Sequence, residues 1–213
     1  VKDTHDGKEM KFRKTNTYDI FKQCVSDYKW QSVLDFGGNR GNLLDGNISP
    51  KKYTCLDISK DGLAALPEGT KSVHWNRYHS YYNPNGNPDE PFPKLKWHDI
   101  VFANSVFTHH LLDEALYCIE HLSKYTNRIV FTYIDPMNEQ FFKKFKEKYS
   151  DLSFDGGDVS YTTDKNGILW SAFDTDYLKS KLEYHRVKAG TTDWFNYMDI
   201  TVKPLSSPGI FGY

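Results

Sequence analysis

No apolar run in this chain approaches 18 residues, so no membrane-spanning helix is expected. No secretory pattern stands at its start, and the first residue is Val rather than Met, as in a chain cut from something longer. Charge of one sign is also missing. Lys and Arg number 27 against 28 Asp and Glu, for a net charge of −1, which leaves no basic footprint for nucleic acid. Cysteine is sparse: Cys24, Cys55 and Cys118 form no CxxC pair and no zinc spacing. Each sits in an apolar context, reads as a buried free thiol, and suits a reducing cytoplasm. The eight histidines give neither an HxH nor an HxxxH run, so no metal is expected.

Aromatic residues, in contrast, are dense, at 15 Tyr, 14 Phe and 5 Trp. Some must form core, and others are available to line a pocket for an organic substrate. The chain is long enough for one domain with a real core, placed over 17–213, after a polar, loosely ordered stretch at 1–16.

Apolar runs and helical spacing alternate along the chain. Thr17 is a candidate N-cap for a helix over 17–30 carrying Ile20, Phe21, Cys24, Val25 and Tyr28. Strands are predicted at 31–36, 53–57, 71–75, 99–103 and 128–134, with short helices near 41–46 and around Leu63 and Leu66. A helix follows at 112–124, and another at 138–149 with Phe141, Phe142 and Phe145 on its apolar side. Asp174 or Thr175 can cap a helix at 174–182. Two final strands, 182–187 and 194–202, are separated by Ala189-Gly190 and can pair antiparallel. Between strands three and four, residues 76–97 are rich in Pro, Asn and Tyr and show no periodic pattern; long loops of this kind are often functional. Strands joined by helices imply an α/β fold, a mostly parallel sheet covered on both faces.

The richest segment is Val33-Leu34-Asp35-Phe36-Gly37-Gly38-Asn39-Arg40-Gly41. An apolar run ends in an acid and glycines follow at the turn. A second run, Tyr53-Thr54-Cys55-Leu56, ends in Asp57. Glycines at a strand end let a ligand lie against the backbone, and an acid at the next strand tip can accept both hydroxyls of a ribose. The pair describes a nucleoside-containing cofactor across the carboxyl ends of parallel strands.

These segments, together with Asp99-Ile100-Val101-Phe102-Ala103-Asn104-Ser105-Val106-Phe107-Thr108-His109, resemble the class I S-adenosylmethionine-dependent methyltransferases over most of 17–203. The first resembles the family's acid-x-Gly-x-Gly-x-Gly loop, and Leu56-Asp57-Ile58-Ser59 its acid-tipped second strand. One departure is Asn39, where the family usually has Gly. Asn is the non-Gly residue best able to adopt positive φ, so the turn is expected to form. The resemblance implies a seven-stranded Rossmann-like sheet with an antiparallel C-terminal strand pair, S-adenosylmethionine as cofactor and S-adenosylhomocysteine as product. Gly37, Gly38, Asn39 and Gly41 would carry the methionine portion and Asp35 its ammonium. Asp57 would hold the ribose. Ile58, Trp75 and Asn76 would flank the adenine, and Asn104 would sit near the sulfonium.

His109 follows strand four by a few residues and titrates near neutrality, which makes it the candidate general base for a hydroxyl acceptor. Tyr78, Tyr81, Tyr82 and His110 are candidate substrate contacts. A turn before a helix accounts for Asp135 and Asn138 without a metal. The implied activity is methyl transfer to a small organic molecule or sugar derivative, on oxygen before nitrogen. A nicotinamide oxidoreductase would share the glycines and the acid, but this chain has no GxGxxG. A non-catalytic module on the same fold is the other alternative.

Overall fold

The computed structural model describes residues 17–192 and 195–203. The stretch 1–16, the Trp194 that opens the last expected strand, and the side chain of Phe141 lie outside the described residues.

Seven strands form one sheet in the order β3-β2-β1-β4-β5-β9-β8. They are β1 (Val33–Phe36), β2 (Tyr53–Asp57), β3 (Lys71–His74), β4 (Ile100–Ala103), β5 (Arg128–Tyr133), β8 (Arg186–Thr191) and β9 (Asn196–Thr201). The first five pair parallel. β9 runs antiparallel to both β5 and β8. The central strands β1, β4 and β5 are buried at every position, because helices cover both faces.

Alternation sorts each strand's side chains between two cores. Leu34, Phe36, Val101, Ala103, Ile129 and Phe131 face α3 (Leu112–Leu122) and α5 (Thr175–Lys181). Val33, Cys55, Ile100, Phe102 and Val130 face the opposite way, toward Ile20, Phe21, Cys24 and Val25 of α1 (17–25). α1 stops at Val25, short of the expected end, and a turn bond from Tyr28 N to the Val25 carbonyl follows. Helix α2 (Lys60–Ala64) is capped by Ser59, whose hydroxyl accepts the Gly62 N–H. The strand order reverses between β1 and β4, so the carboxyl ends of these two strands open the crevice where such sheets bind ligands.

Three expectations need correction. Ala189 and Gly190 do not separate two strands; both lie inside β8, paired with Met198 and Tyr197. A side chain at Gly190 would meet the Tyr197 ring, so the glycine makes room for it. Residues 76–97 are not patternless. Reciprocal bonds between His79 and Asn83, bridges from Arg77 to Asn87, and the Asn83 side chain on the Arg77 carbonyl tie them into a compact loop. Asn-rich loops close by such side-chain-to-backbone bonds, which periodicity does not register. The third concerns residues 150–173, where the sequence pattern gives no element: a hairpin, β6 (Val159–Thr163) with β7 (Leu169–Phe173), stands there after α4 (Glu139–Lys148). Its turn signal, Asn166-Gly167, is present in the sequence, with Gly167 at φ 78°.

Candidate functional site

The β1–β2 tips carry the densest constellation of functional side chains. After β1 the chain turns at Gly37 (φ 73°) and Asn39 (φ 47°). The Asn39 side chain is housed by α2: its Oδ1 lies 2.1 Å from where a Cβ on Gly62 would stand. The residue that departs from the glycine pattern therefore adopts the left-handed turn and fills a space left by another glycine.

Asp57 closes this loop. Its Oδ2 accepts the Asn39 amide and its Oδ1 the Ser59 amide, each at 2.7 Å. Burial raises its pKa, and the amide donors and His74 work against that rise. Each carboxylate oxygen keeps further acceptor capacity, as two vicinal hydroxyls require. The carboxylate is thus oriented by backbone on one side and can hold a diol on the other.

Asp35 lies directly beneath the loop. Only 3% exposed, it accepts the Tyr53 hydroxyl at 2.7 Å through Oδ2. A Cβ on Gly38 would stand 2.6 Å from this carboxyl group and 2.9 Å from the Cys55 sulfur, so no side chain fits there. Burial pushes Asp35 up to about 7, with the Tyr53 bond lowering it and the Asp57 charge raising it further. The residues missed in the sequence are Tyr53 and Cys55, which share one face of β2 at period two; Cys55 is in register with Asp35.

The other sequence-derived residues are distributed around this centre. Gly41 (φ 76°) starts a short 3-10 turn and is enclosed by the Leu44 and Leu66 side chains. Ile58 packs against the α3-side core. Trp75 is itself core, 5% exposed, with its indole N–H on the Pro91 carbonyl and its ring edge-on to Phe92. Asn76 accepts the Asn87 amide with its carbonyl and stays inside the 76–97 loop. Asn104, at the end of β4, receives the Thr132 hydroxyl and reaches the Thr17 hydroxyl. Asp135 caps the turn after β5, accepting the Met137 amide and the Thr175 hydroxyl, and Asn138 bonds the Asn196 side chain. Among the described residues, no three His, Cys, Asp or Glu side chains gather as metal ligands.

A second constellation gathers at the β4 exit. His109 bonds the Leu169 carbonyl of β7 through Nδ1 at 2.8 Å. Its ring meets Trp170 edge-on at 4.5 Å and Tyr82 at 5.8 Å. His110 bonds the Val106 carbonyl, and its own carbonyl receives the Ser171 hydroxyl. His79 touches Tyr82, Tyr81 and the His109 carbonyl. The 76–97 loop and the hairpin thus converge on His109. Tyr81 and Tyr82 join it, whereas Tyr78 stands 47% exposed and makes no ring contact with these histidines. His79, Leu169 and Trp170 were not legible as site residues, because only the folded hairpin and loop bring them there.

Burial pushes His109 down to about 4; the Leu169 carbonyl opposes this, and the neighbouring histidines add to it. The folded state therefore favours neutral imidazole. That contribution is complete above the ordinary histidine range and is lost as pH falls from about 6.5 toward 4. Asp35 acts in the opposite sense over nearly the same window, and burial lowers His98 and His185 alongside His109. We therefore expect the stability difference between wild type and His109→Gln, from urea unfolding, to shrink by about 2 kcal/mol on going from pH 7.5 to 4.5. A difference independent of pH would refute the burial of a neutral ring.

No protein-family model matches this chain. Its similarity to solved structures is extensive in length and low in identity. The PH0226 protein of Pyrococcus horikoshii OT3 aligns at 11% identity over 93% of each chain, with a TM-score of 0.60. The glycopeptide N-methyltransferase MtfA complexed with S-adenosyl-L-homocysteine aligns at 11% identity over 89% of this chain and 90% of its own, with a TM-score of 0.56. The N-terminal domain of EvdMO1, solved in the presence of S-adenosylhomocysteine and D-fucose, aligns at 12% identity over 92% of this chain and 82% of its own (TM-score 0.53). The chain has the fold of the class I methyltransferases: a mostly parallel seven-stranded sheet completed by an antiparallel strand pair.

Proposed function

We propose that this protein binds S-adenosylmethionine and transfers its methyl group to a small organic molecule or sugar derivative, on oxygen in preference to nitrogen. The observation that carries the reading is Asp57 at the β2 tip, fixed by two amide donors beside a loop whose Gly38 has no room for a Cβ. That pairing, next to the β1–β4 switch point, is what a nucleoside with a short amino-acid tail requires. Neighbours of the same fold solved with S-adenosylhomocysteine support the cofactor, and the one solved with D-fucose supports an acceptor of sugar size.

The cofactor, when bound, supplies an electrophilic methyl group on a sulfonium. Asp57 would accept the ribose hydroxyls, and Asp35 would receive the ammonium of the methionine portion directly or through water. Ile58 and Asn76 would border the adenine, and Asn104 would lie toward the reacting end. The protein must also align the acceptor and keep water out. His109 would take the hydroxyl proton as the acceptor oxygen bonds to the methyl carbon and the carbon–sulfur bond breaks, while Tyr81, Tyr82 and His110 would form the acceptor's surroundings. The near-neutral charge and missing basic stripe argue against nucleic acid as acceptor. Three buried free thiols suit a reducing, cytoplasmic setting. Among the described residues no helix is long and apolar enough to cross a membrane.

Calorimetric titration with S-adenosylhomocysteine, with NAD and NADP in parallel, tests the cofactor. Micromolar binding of S-adenosylhomocysteine alone is expected; binding of a nicotinamide cofactor instead would overturn the reading. Asp57→Ala should weaken S-adenosylhomocysteine by roughly 1–3 kcal/mol, the scale of hydrogen bonds to a charged group. Unchanged affinity would remove the ribose assignment. His109→Ala should lower turnover of a labelled methyl donor and leave cofactor affinity as it was. Full turnover in that variant would remove His109 as the base, and turnover absent from the wild type with every acceptor tried would favour a binding module.

A further inference from the structure

The imidazoles at the β4 exit are each held to one tautomer by a neighbour that can only accept or only donate. A backbone carbonyl only accepts, so the Leu169 carbonyl, 2.8 Å from His109 Nδ1, requires the hydrogen on that nitrogen. The Val106 carbonyl imposes the same on His110 at 2.9 Å. His79 is the reverse. Its Nδ1 receives the amides of Tyr81 and Tyr82, both at 3.2 Å, so its hydrogen sits on Nε2, which donates to the His109 carbonyl at 3.4 Å. For His109 this leaves the lone pair on Nε2.

Leu169 and Trp170 are consecutive on β7. The carbonyl that fixes the tautomer and the ring that walls the imidazole, 4.5 Å away at 66°, therefore come from one strand. The strand is itself secured. Asp164 accepts the amides of Asn166 and Ile168 across the hairpin turn and lies 3.4 Å from the Trp170 indole nitrogen. At the far end the Phe173 amide bonds the Ile134 carbonyl beyond β5. The Trp170 ring also packs against Phe145 and Tyr149, in a small cluster with Ile134, Leu152 and Ala172, so its position is fixed by that packing as well as by the turn.

We propose that the β6–β7 hairpin clamps His109 as the Nδ1–H tautomer, with Trp170 as a positioning residue that keeps Nε2 the nitrogen able to take the acceptor's proton. The proposal rests on His109 being the base. A free imidazole prefers its hydrogen on Nε2, the wrong nitrogen to bear it if Nε2 is to act. The hairpin carbonyl reverses that preference. When the proton arrives, the same Nδ1–H to Leu169 bond becomes charge-assisted and strengthens, so the clamp also favours the imidazolium formed in the step. Trp170 shields this bond from competing water.

The test uses the full chain labelled with 15N-histidine, followed by long-range proton–nitrogen correlation from about pH 4 to about pH 8, with His109→Ala to assign the ring. The expected result is a single Nδ1–H species for His109 that gains its second proton only well below the ordinary histidine range. In Trp170→Ala a fraction of Nε2–H should emerge and the titration should rise by at least about one pH unit, while Trp170→Phe keeps the wild-type pattern. If the alanine variant fails to fold, Trp170→Leu takes its place, with the same result expected. An Nε2–H tautomer in the wild type, or an unchanged tautomer and titration on loss of the ring, overturns the proposal. None of these readings needs an acceptor, so they decide the clamp separately from the turnover of His109→Ala, which decides the base.

Discussion

Asp35→Asn is expected to stabilise the free protein above pH 7 and at the same time weaken its hold on S-adenosylhomocysteine. The carboxyl group is 3% exposed, and its one strong partner is the Tyr53 hydroxyl. Burial favours the protonated form and pushes the group up to about 7. The folded chain thus binds this proton better than the unfolded chain does. The associated stability is complete below the unfolded value near 4 and disappears as pH rises toward 7. An amide cannot ionise and still accepts from Tyr53, so it avoids the cost of a buried charge. The interval between an ordinary aspartate and about 7 corresponds to a ceiling of about 4 kcal/mol. We expect roughly 1–3 kcal/mol at pH 8, because the new amide donors must find partners, and little gain at pH 4. Urea unfolding at the two pH values reads this directly, and equal effects at both would show that ionisation is not what strains the wild type.

The same charge is what an ammonium group seeks. In the wild type, cofactor binding at pH 6 should release a proton as Asp35 ionises, and calorimetry in two buffers of different ionisation enthalpy should detect it. The Asn variant should release none and bind more weakly. Stability set aside for binding in this way is a common feature of functional sites.

Arg128→Ala should be the most destabilising single change at the amino end of the central strands, by about 3–5 kcal/mol. Arg128 begins β5 and grips both oxygens of Asp199 on β9, each at 2.8 Å. It also reaches Asp27 at 3.1 Å and the Cys24 carbonyl at the end of α1, and lies over the Tyr28 ring at 4.7 Å. Truncation leaves Asp199, 8% exposed, without its counter-charge. Replacing the pair together, Arg128→Met with Asp199→Leu, should recover most of the loss, because a well-packed apolar pair avoids desolvating two ions. The folded single variant should bind S-adenosylhomocysteine as the wild type does, since the ion pair lies at the end of β5 remote from the cofactor crevice. Chemical unfolding of the three proteins checks the first two statements and titration the third. A double variant as unstable as the single one would mean that the charges themselves, and not the unpaired aspartate, matter.

The sheet was legible because its strands are buried on both faces. Val33-Leu34, Tyr53-Thr54-Cys55-Leu56, Ile100-Val101-Phe102-Ala103 and Ile129-Val130-Phe131 stand as apolar runs between turn residues, and burial demands such runs. Asp57 and the glycine turn were legible for a related reason. A strand with its glycine turn and a strand with its terminal acid are each runs of consecutive residues, although Asp57 meets Asn39 only across the sheet. The hairpin was less visible. Its alternation is short, and its strands are half-exposed, so the period-two signal is carried by few apolar residues. Trp75 illustrates the limit of position alone: it follows β3 at the right place, yet the 76–97 loop folds back and encloses its indole against Pro91 and Phe92.

The sequence by itself therefore determined the α/β class, the parallel core and the acid-and-glycine pair at the strand tips, since each leaves a pattern among residues a few positions apart. Tertiary structure alone decided the state of the ionisable groups. Asp35 is raised because burial beneath Gly38 takes it out of water and the Asp57 charge adds to this, against the Tyr53 bond that lowers it. His109 is lowered because the fold buries it, and its hydrogen is assigned to Nδ1 because a strand 60 residues away supplies the carbonyl. Protonation follows from burial and from partners across the fold, and neither is written in the local order of residues.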